Sequence, residues 1–262
     1  MTRFLLSALA ALLLAGCASG PVAPTQELRS LLAPTGKLRV GVYPGSPSSF
    51  IKDKETGENK GLTYDLGKEL ARRLGVPFEP VIFARVAEVL EGIKAGKVDM
   101  TITNATEVRA RDMDFTAPIL DVELGYLVPA GSRVASREDL DKAGVRVGVS
   151  QGGTSQGVLS RELKFATVVP APSVDSAIDM IGNRRIDVFA TNKAVLYQMS
   201  DLIPGSRVLP GRWGVEHFAF AIPKGRAAAL PYMKAYAEDI TEKRYLALTV
   251  ERAGLRGAIA AQ

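Results

Sequence analysis

Apolar residues along this chain recur with two periods, and the two alternate. Leu62, Leu66, Leu70 and Leu74 stand four apart, the spacing of one helix face. Gly75 follows as a stop and Pro77 bars continuation, so a helix over 62–74 is predicted. Short β-rich runs flank it, Lys37-Leu38-Arg39-Val40-Gly41-Val42-Tyr43 before and 78–83 after. Val86, Val89, Leu90 and Ile93 mark a second helix stopped at Gly96, and Val98-Asp99-Met100-Thr101-Ile102 reads as a third strand. A βαβαβ order implies a parallel sheet with helices on both faces. The pattern then restarts. Strands are predicted at 145–149, 167–169 and 186–190, with helices from about 155 to 163 and around Val174, Ile178 and Ile181. A late strand at 218–222 and two helices within 227–253 complete the chain. The two units share a local likeness, Gly96-Lys97-Val98-Asp99-Met100 against Arg184-Arg185-Ile186-Asp187-Val188. Two α/β units place a crevice between them, and ligands of open α/β sheets bind beyond the carboxyl ends of strands.

The first residues follow neither period. Residues 1–16 carry Arg3 and then an apolar run interrupted only by Ser7, shorter than the roughly 20 residues a membrane span needs. This reads as a secretory signal peptide. Leu14-Ala15-Gly16-Cys17 resembles the bacterial lipobox, in which the cysteine is lipidated and becomes the new N-terminus. Acyl chains on Cys17 would anchor the protein to a membrane, at about 0.8 kcal/mol per buried methylene. The alternative is an ordinary signal peptide with a chance cysteine. Residues 17–35 are expected to form a tether, opened by the flexible Ala18-Ser19-Gly20-Pro21-Val22-Ala23-Pro24.

Composition acts mainly by exclusion. With 262 residues, 47% apolar and 23% charged, the chain is neither disordered, collagenous nor a coiled coil. One Cys excludes an intrachain disulfide framework and a multi-Cys metal site; one His excludes a His-rich zinc site. The formal charge of +5 is spread without a dense basic run, so nucleic acid is not an expected partner. No metal or cofactor is expected.

Several segments, in order, resemble one family. They are Gly36-Lys37-Leu38-Arg39-Val40-Gly41-Val42, Gly61-Leu62-Thr63-Tyr64-Asp65-Leu66, Gly96-Lys97-Val98-Asp99, Thr106-Glu107-Val108-Arg109 with Asp114-Phe115-Thr116, and Val147-Gly148-Val149-Ser150-Gln151-Gly152-Gly153-Thr154. Over about 36–250 the chain resembles the extracellular solute-binding proteins of polar amino acid ABC importers. The resemblance implies the type II periplasmic binding fold: two lobes, each a mainly parallel sheet flanked by helices, with the ligand cleft between them. Lobe 1 would comprise 36–127 and 219–262, lobe 2 would comprise 128–218, and hinge strands near 125–128 and 216–219 would join them.

The resemblance also implies site residues. Arg109 would grip a ligand carboxylate, for which its planar donor fork is suited; a structural ion pair is the other reading. Thr106 would bind ligand or cap the short helix carrying Arg109. Thr103 and Asn104, at a strand's carboxyl end, would supply polar contacts, and Asn104 also reads as a turn residue. Gly153 and Thr154 open a helix whose free N–H groups can take an anion, with a glycine turn and ordinary cap as the alternative. Tyr43 and Phe50 would form an apolar wall, or belong to the core. Asn192 is the departure, because many family members place there an aspartate that meets the ligand ammonium. Either another acid takes that part or the ligand lacks a cationic amine. Glu216 reads first as a solvated surface acid and second as that substitute. Trp213 and His217 read as packing residues.

The expected function is that of a lipid-anchored receptor in the periplasm or cell envelope. It would deliver a small carboxylate-bearing solute, an amino acid or related organic acid, to an ABC permease without chemistry. Two other classes share the fold: a cyclohexadienyl dehydratase-like enzyme, for which no acid is evident beside Arg109, and a ligand-sensing domain for a membrane signalling partner. Lytic transglycosylases also carry such a domain, joined to a catalytic one.

Overall fold

The computed structural model describes residues 24–261. The signal segment 1–16 and Cys17 lie outside those residues. The first described element corrects the expected tether, which does not run to residue 35. α1 (Gln26–Leu32) is a helix capped by Thr25, whose Oγ1 accepts from the Leu28 N–H at 3.1 Å. Leu32 is fully buried, and Arg29 and Arg226 donate to the Leu74 and Leu31 carbonyls at 2.8 and 3.0 Å. Seven residues are too few for a helix to stand alone; this one is held by its cap and its docking.

β1 (Leu38–Val42) leads to a small hairpin of β2 (Ile51–Lys52) and β3 (Asn59–Lys60), then α2 (Leu62–Leu74). The four leucines of its predicted face are all fully buried, and Gly75 closes it in the left-handed region at φ 68°. β4 (Phe78–Ile82) pairs parallel with β1, and α3 (Val86–Lys94) follows. Neighbouring residues of β1 face opposite sides, and the two helices use that alternation. α2 approaches Val40 so closely that a Cβ on Gly67 would lie 2.8 Å from it; α3 sets Val89 3.1 Å from where a Cβ on Gly41 would stand. The two helices therefore cover opposite faces.

β5 (Thr101–Asn104) starts three residues later than the apolar run predicts. Met100 makes only an isolated parallel bridge to Val40, while Asp99 turns inward to Arg39. A single helical turn (Arg109–Arg111) precedes β6 (Met113–Phe115) and the long β7 (Leu120–Val128). The second unit runs β8 (Arg146–Ser150), α4 (Thr154–Glu162), β9 (Thr167–Ala171), α5 (Val174–Gly182), β10 (Val188–Asn192) and α6 (Lys193–Ser200). β10 begins two residues late for the same reason as β5: Asp187 turns to Arg146. Then come β11 (Arg207–Val208), β12 (Gly214–Pro223), α7 (Leu230–Glu242), α8 (Tyr245–Arg252) and β13 (Ala258–Ile259).

The main sheet has the order β5-β12-β7-β10-β8-β9. Its outer pairs β10/β8 and β8/β9 are parallel, like β1/β4. Every pair made by the two long central strands, β7 and β12, is antiparallel. β7 pairs with β12 over its first half and with β10 from Leu124 onward, and β12 turns from β7 to β5 at Phe218. Each strand thus takes part in both halves of the molecule, and the expected hinge segments lie on them. One core gathers Val40, Leu66, Met100, Phe220 and Tyr236; others, around Val147 and Val188 and around Phe189 and Leu196, fill the second lobe.

Candidate binding cleft between the lobes

The strand ends of both lobes converge on one cavity of about 30 Å³. Of the expected residues, Tyr43, Thr103, Arg109, Gly153, Thr154 and Asn192 line it. Thr106, Asn104 and Phe50 do not. Thr106 Oγ1 accepts from the Arg109 N–H at 3.2 Å, so it shapes the turn that carries the arginine. Phe50 is buried in the first core, its ring 5.5 Å from that of Tyr64. Asn104 joins three parts of the molecule: its Nδ2 donates to Thr154 Oγ1 at 3.0 Å across the cleft, and its Oδ1 accepts from the His217 N–H of β12 at 2.8 Å.

Arg109 spans the cleft. Nη1 donates to Thr103 Oγ1 at 2.7 Å and the Asn104 carbonyl at 3.3 Å; Nη2 donates to the Gly152 carbonyl of the second lobe at 3.3 Å. Burial pushes the guanidinium pKa down, and nearby Glu216 and Tyr43 oppose that push. Burial drives the Tyr43 phenol the other way, upward, so it stays neutral. A guanidinium remains charged in proteins, and a buried charge with only neutral partners is costly to hold.

Opposite Arg109 stands the start of α4, whose first N–H groups have no acceptor within the helix. Gly152 precedes it at φ 75°, and a Cβ there would meet Ala87 of α3 at 2.6 Å. On another part of the rim a Cβ on Gly45, at φ 80°, would meet Val174 of α5 at 2.8 Å. Backbone without side chains lets the lobes come this close.

Asn192 caps α6, its Oδ1 accepting from the Val195 N–H at 3.2 Å. That bond directs its Nδ2 to Glu216 Oε2 at 3.1 Å. Glu216 is only 7% exposed and lines the cavity, which corrects its first reading as a solvated surface acid. The cause lies in β12, which starts at Gly214, four residues ahead of the predicted strand. Strand alternation then sends Glu216 and Phe218 to the cavity and leaves His217 outside, paired with Asp121 at 2.8 Å. The signal was the shared parity of 216 and 218. Ser48, Ser49, Ser150 and Thr191 also line the cavity, beyond the expected residues.

Among the described residues, no group of three or more His, Cys, Asp or Glu is placed to hold a metal ion, and no helix is long and apolar enough to cross a membrane.

Two α/β lobes joined by long central strands, with a guanidinium and a helix N-terminus facing each other in the cleft, define a solute-binding protein. Residues 38–249 match the bacterial extracellular solute-binding proteins, family 3, and the chain belongs to that family. It is 25% identical over 234 residues to the ABC transporter glutamine-binding protein GlnH of Bacillus subtilis, covering 86% of this chain and 85% of that one. A solved structure of the ancestral amino acid-binding protein AncCDT-1, a precursor of cyclohexadienyl dehydratase, superposes with a TM-score of 0.74 at 26% identity, covering 86% of this chain and 98% of that one. The membrane-bound lytic murein transglycosylase F of Shewanella oneidensis is 31% identical over 115 residues, 44% of this chain and 23% of that enzyme.

Proposed function

We propose that this protein is the substrate-binding component of an ABC importer, anchored at the cell envelope through Cys17. It captures a small carboxylate-bearing solute, an amino acid or related organic acid, by closing its lobes around it. The observation that carries the reading is Arg109: a cation in the cleft, hydrogen-bonded to neutral oxygens of both lobes. A carboxylate offers that fork two oxygens and the charge it lacks. The bonds from Asn104 to Thr154 and from Arg109 to Gly152 are then the contacts that hold the lobes together, and β7 and β12 are the strands about which they part. The cavity of about 30 Å³ has room for no more than a few waters, so the lobes must part for a solute to enter. The glutamine-binding relative, matched over most of both chains, supports the amino acid class.

A dehydratase-like enzyme is the second reading, favoured by the carboxyl that Glu216 brings to the cleft. Such chemistry needs a proton donor. Glu216 accepts its bond from Asn192, the posture of a counter-ion, and the binding reading stands ahead.

Titration of the purified protein with amino acids and organic acids tests the proposal. A solute at about 100 times Kd should add about 2.7 kcal/mol of stability. Arg109→Ala should weaken binding at least about 100-fold by leaving a desolvated carboxylate unpaired; unchanged affinity would sink the reading. Turnover of a ring carboxylate would instead select the enzyme. Cys17→Ala should release the protein from the membrane fraction, and retention there would remove the anchor.

A further inference from the structure

A second cavity, of about 310 Å³, lies in the second lobe and shares no wall residue with the cleft. Trp213, one residue ahead of β12, is its main wall. The Trp213 backbone N–H donates to the Leu124 carbonyl at 3.1 Å and its Nε1 to the Gly125 carbonyl at 3.0 Å, both on β7. Those bonds fix the indole, which stacks on the Tyr126 ring with centroids 5.8 Å apart. Leu209 and Pro210 continue the apolar wall.

The polar groups of this cavity are unspent. Tyr126 is only 6% exposed, and its hydroxyl has no hydrogen-bond partner among the described residues, where a buried phenol ordinarily finds one. No fully enclosed side-chain polar atom among those residues lacks a partner, so this hydroxyl reaches open space, and the space that Tyr126 lines is the cavity. Burial pushes its pKa up to about 12, which keeps it a neutral O–H donor. Arg137, on the single helical turn Arg137–Asp139, stands near enough to oppose that push, and it has no ion-pair partner among the described residues. Arg212 also lines the cavity and spends one N–H on Glu123 at 3.2 Å. Against these two cations the wall has one acid, Glu138, which the Ser136 hydroxyl holds below its ordinary pKa and so ionised.

We infer that this cavity is a second binding site, for a small aromatic carboxylate whose ring lies along Trp213 and whose carboxylate accepts from the Tyr126 hydroxyl and Arg137. An O–H and a guanidinium are donors suited to a carboxylate, and here both are free. An aromatic ring extends the Trp213–Tyr126 stack and gains more from it than an aliphatic group of the same area. A bare inorganic anion would leave most of the cavity empty. The site touches β7 and the lead into β12 but none of the groups of the cleft, so it stands or falls apart from the reading of Arg109.

The test is titration of the full-length protein with benzoate, followed by tryptophan emission and by the indole N–H resonance. Trp213 is the one tryptophan of the chain, so both signals come from the cavity wall. Benzoate should change them saturably, and Arg109→Ala should leave that titration as it is, which separates this site from the cleft. Tyr126→Phe removes one hydroxyl and keeps the ring stack; it should weaken benzoate about 10-fold, and Arg137→Ala should do the same. Benzyl alcohol keeps the ring without the charge, and acetate keeps the charge without the ring; each should bind at least about 10-fold more weakly than benzoate. No saturable change in either signal would overturn the site. So would a titration abolished by Arg109→Ala and untouched by Tyr126→Phe and Arg137→Ala. Benzylamine binding as tightly as benzoate would overturn the anionic class of the ligand.

Discussion

Leu38-Arg39-Val40-Gly41-Val42 and Val145-Arg146-Val147-Gly148-Val149 open the two lobes with an arginine at the same strand position. Each arginine meets an aspartate that stands just ahead of the third strand of its unit, β5 or β10. Asp99 accepts from the Arg39 backbone N–H, Nε and Nη2 at 3.1, 2.9 and 2.7 Å; Asp187 accepts from the same three groups of Arg146 at 2.8, 3.0 and 3.0 Å. The surroundings differ. The Asp99 side chain is fully buried and takes a second cation, Arg226, which also holds the Leu31 carbonyl of α1. The Asp187 side chain is 19% exposed, its arginine 40%, and its second cation, Arg133, stands off at 3.8 Å. One device thus does two jobs: in the first lobe it ties together the start, the middle and the return of the chain, and in the second it fastens a strand at the surface.

That contrast can be broken by mutation. Asp99→Ala leaves two guanidinium groups without their carboxylate and should cost about 3–5 kcal/mol, with Asp187→Ala losing markedly less, by urea unfolding. Equal losses would show the burial difference to be immaterial. The strand glycines should follow the opposite order. A Cβ on Gly148 would press on Ile186 and stand 2.8 Å from Phe189, whereas one on Gly41 would be 3.1 Å from Val89 and 3.2 Å from Val98. Gly148→Ala should therefore cost about 2 kcal/mol and Gly41→Ala less than about 1, checked by thermal melts. The smallest effect concerns pH. Hydrogen bonds from Arg146 hold the Asp187 pKa below its ordinary value. Its contribution is present above the unfolded pKa of about 4 and is lost as pH falls through the lower folded value. The stability gap between wild type and Asp187→Asn should narrow as pH drops below 4; a gap constant down to pH 2 would remove the ion pair as its source.

The sequence showed the lobes better than it showed this contrast. Four leucines and a glycine set α2 to its observed ends, because a buried stripe and a left-handed stop are both local properties. The strands β5 and β10 slipped because Val98 and Ile186 are apolar through burial, not through pairing, and their neighbouring aspartates bend the chain. Arg109, Thr103, Gly153, Thr154, Tyr43 and Asn192, which the family resemblance implies, line one cavity because they stand at or just beyond strand ends. Phe50 could not be told from core by type alone. Glu216 was hidden by its strand's early start: a lone acid among Val215 and His217 carries no periodicity, and only pairing with β7 reveals which way it faces. The helix at 26–32 was missed because its stability comes from residues far along the chain.

The glycines at 45 and 152 have a consequence for tuning the receptor. They are bare backbone at two points where the lobes touch, so on the proposed closure mechanism the angle at which the cleft stops closing is set by side chains that are not there. A methyl group at either position is a wedge. On the closure mechanism proposed above, it would hold the jaws ajar, with the added strain of an alanine in the left-handed region, and would weaken binding by the fraction of molecules it keeps open. On that mechanism the grip of this protein could be graded from its rim, most simply at Gly45, which stands apart from Arg109.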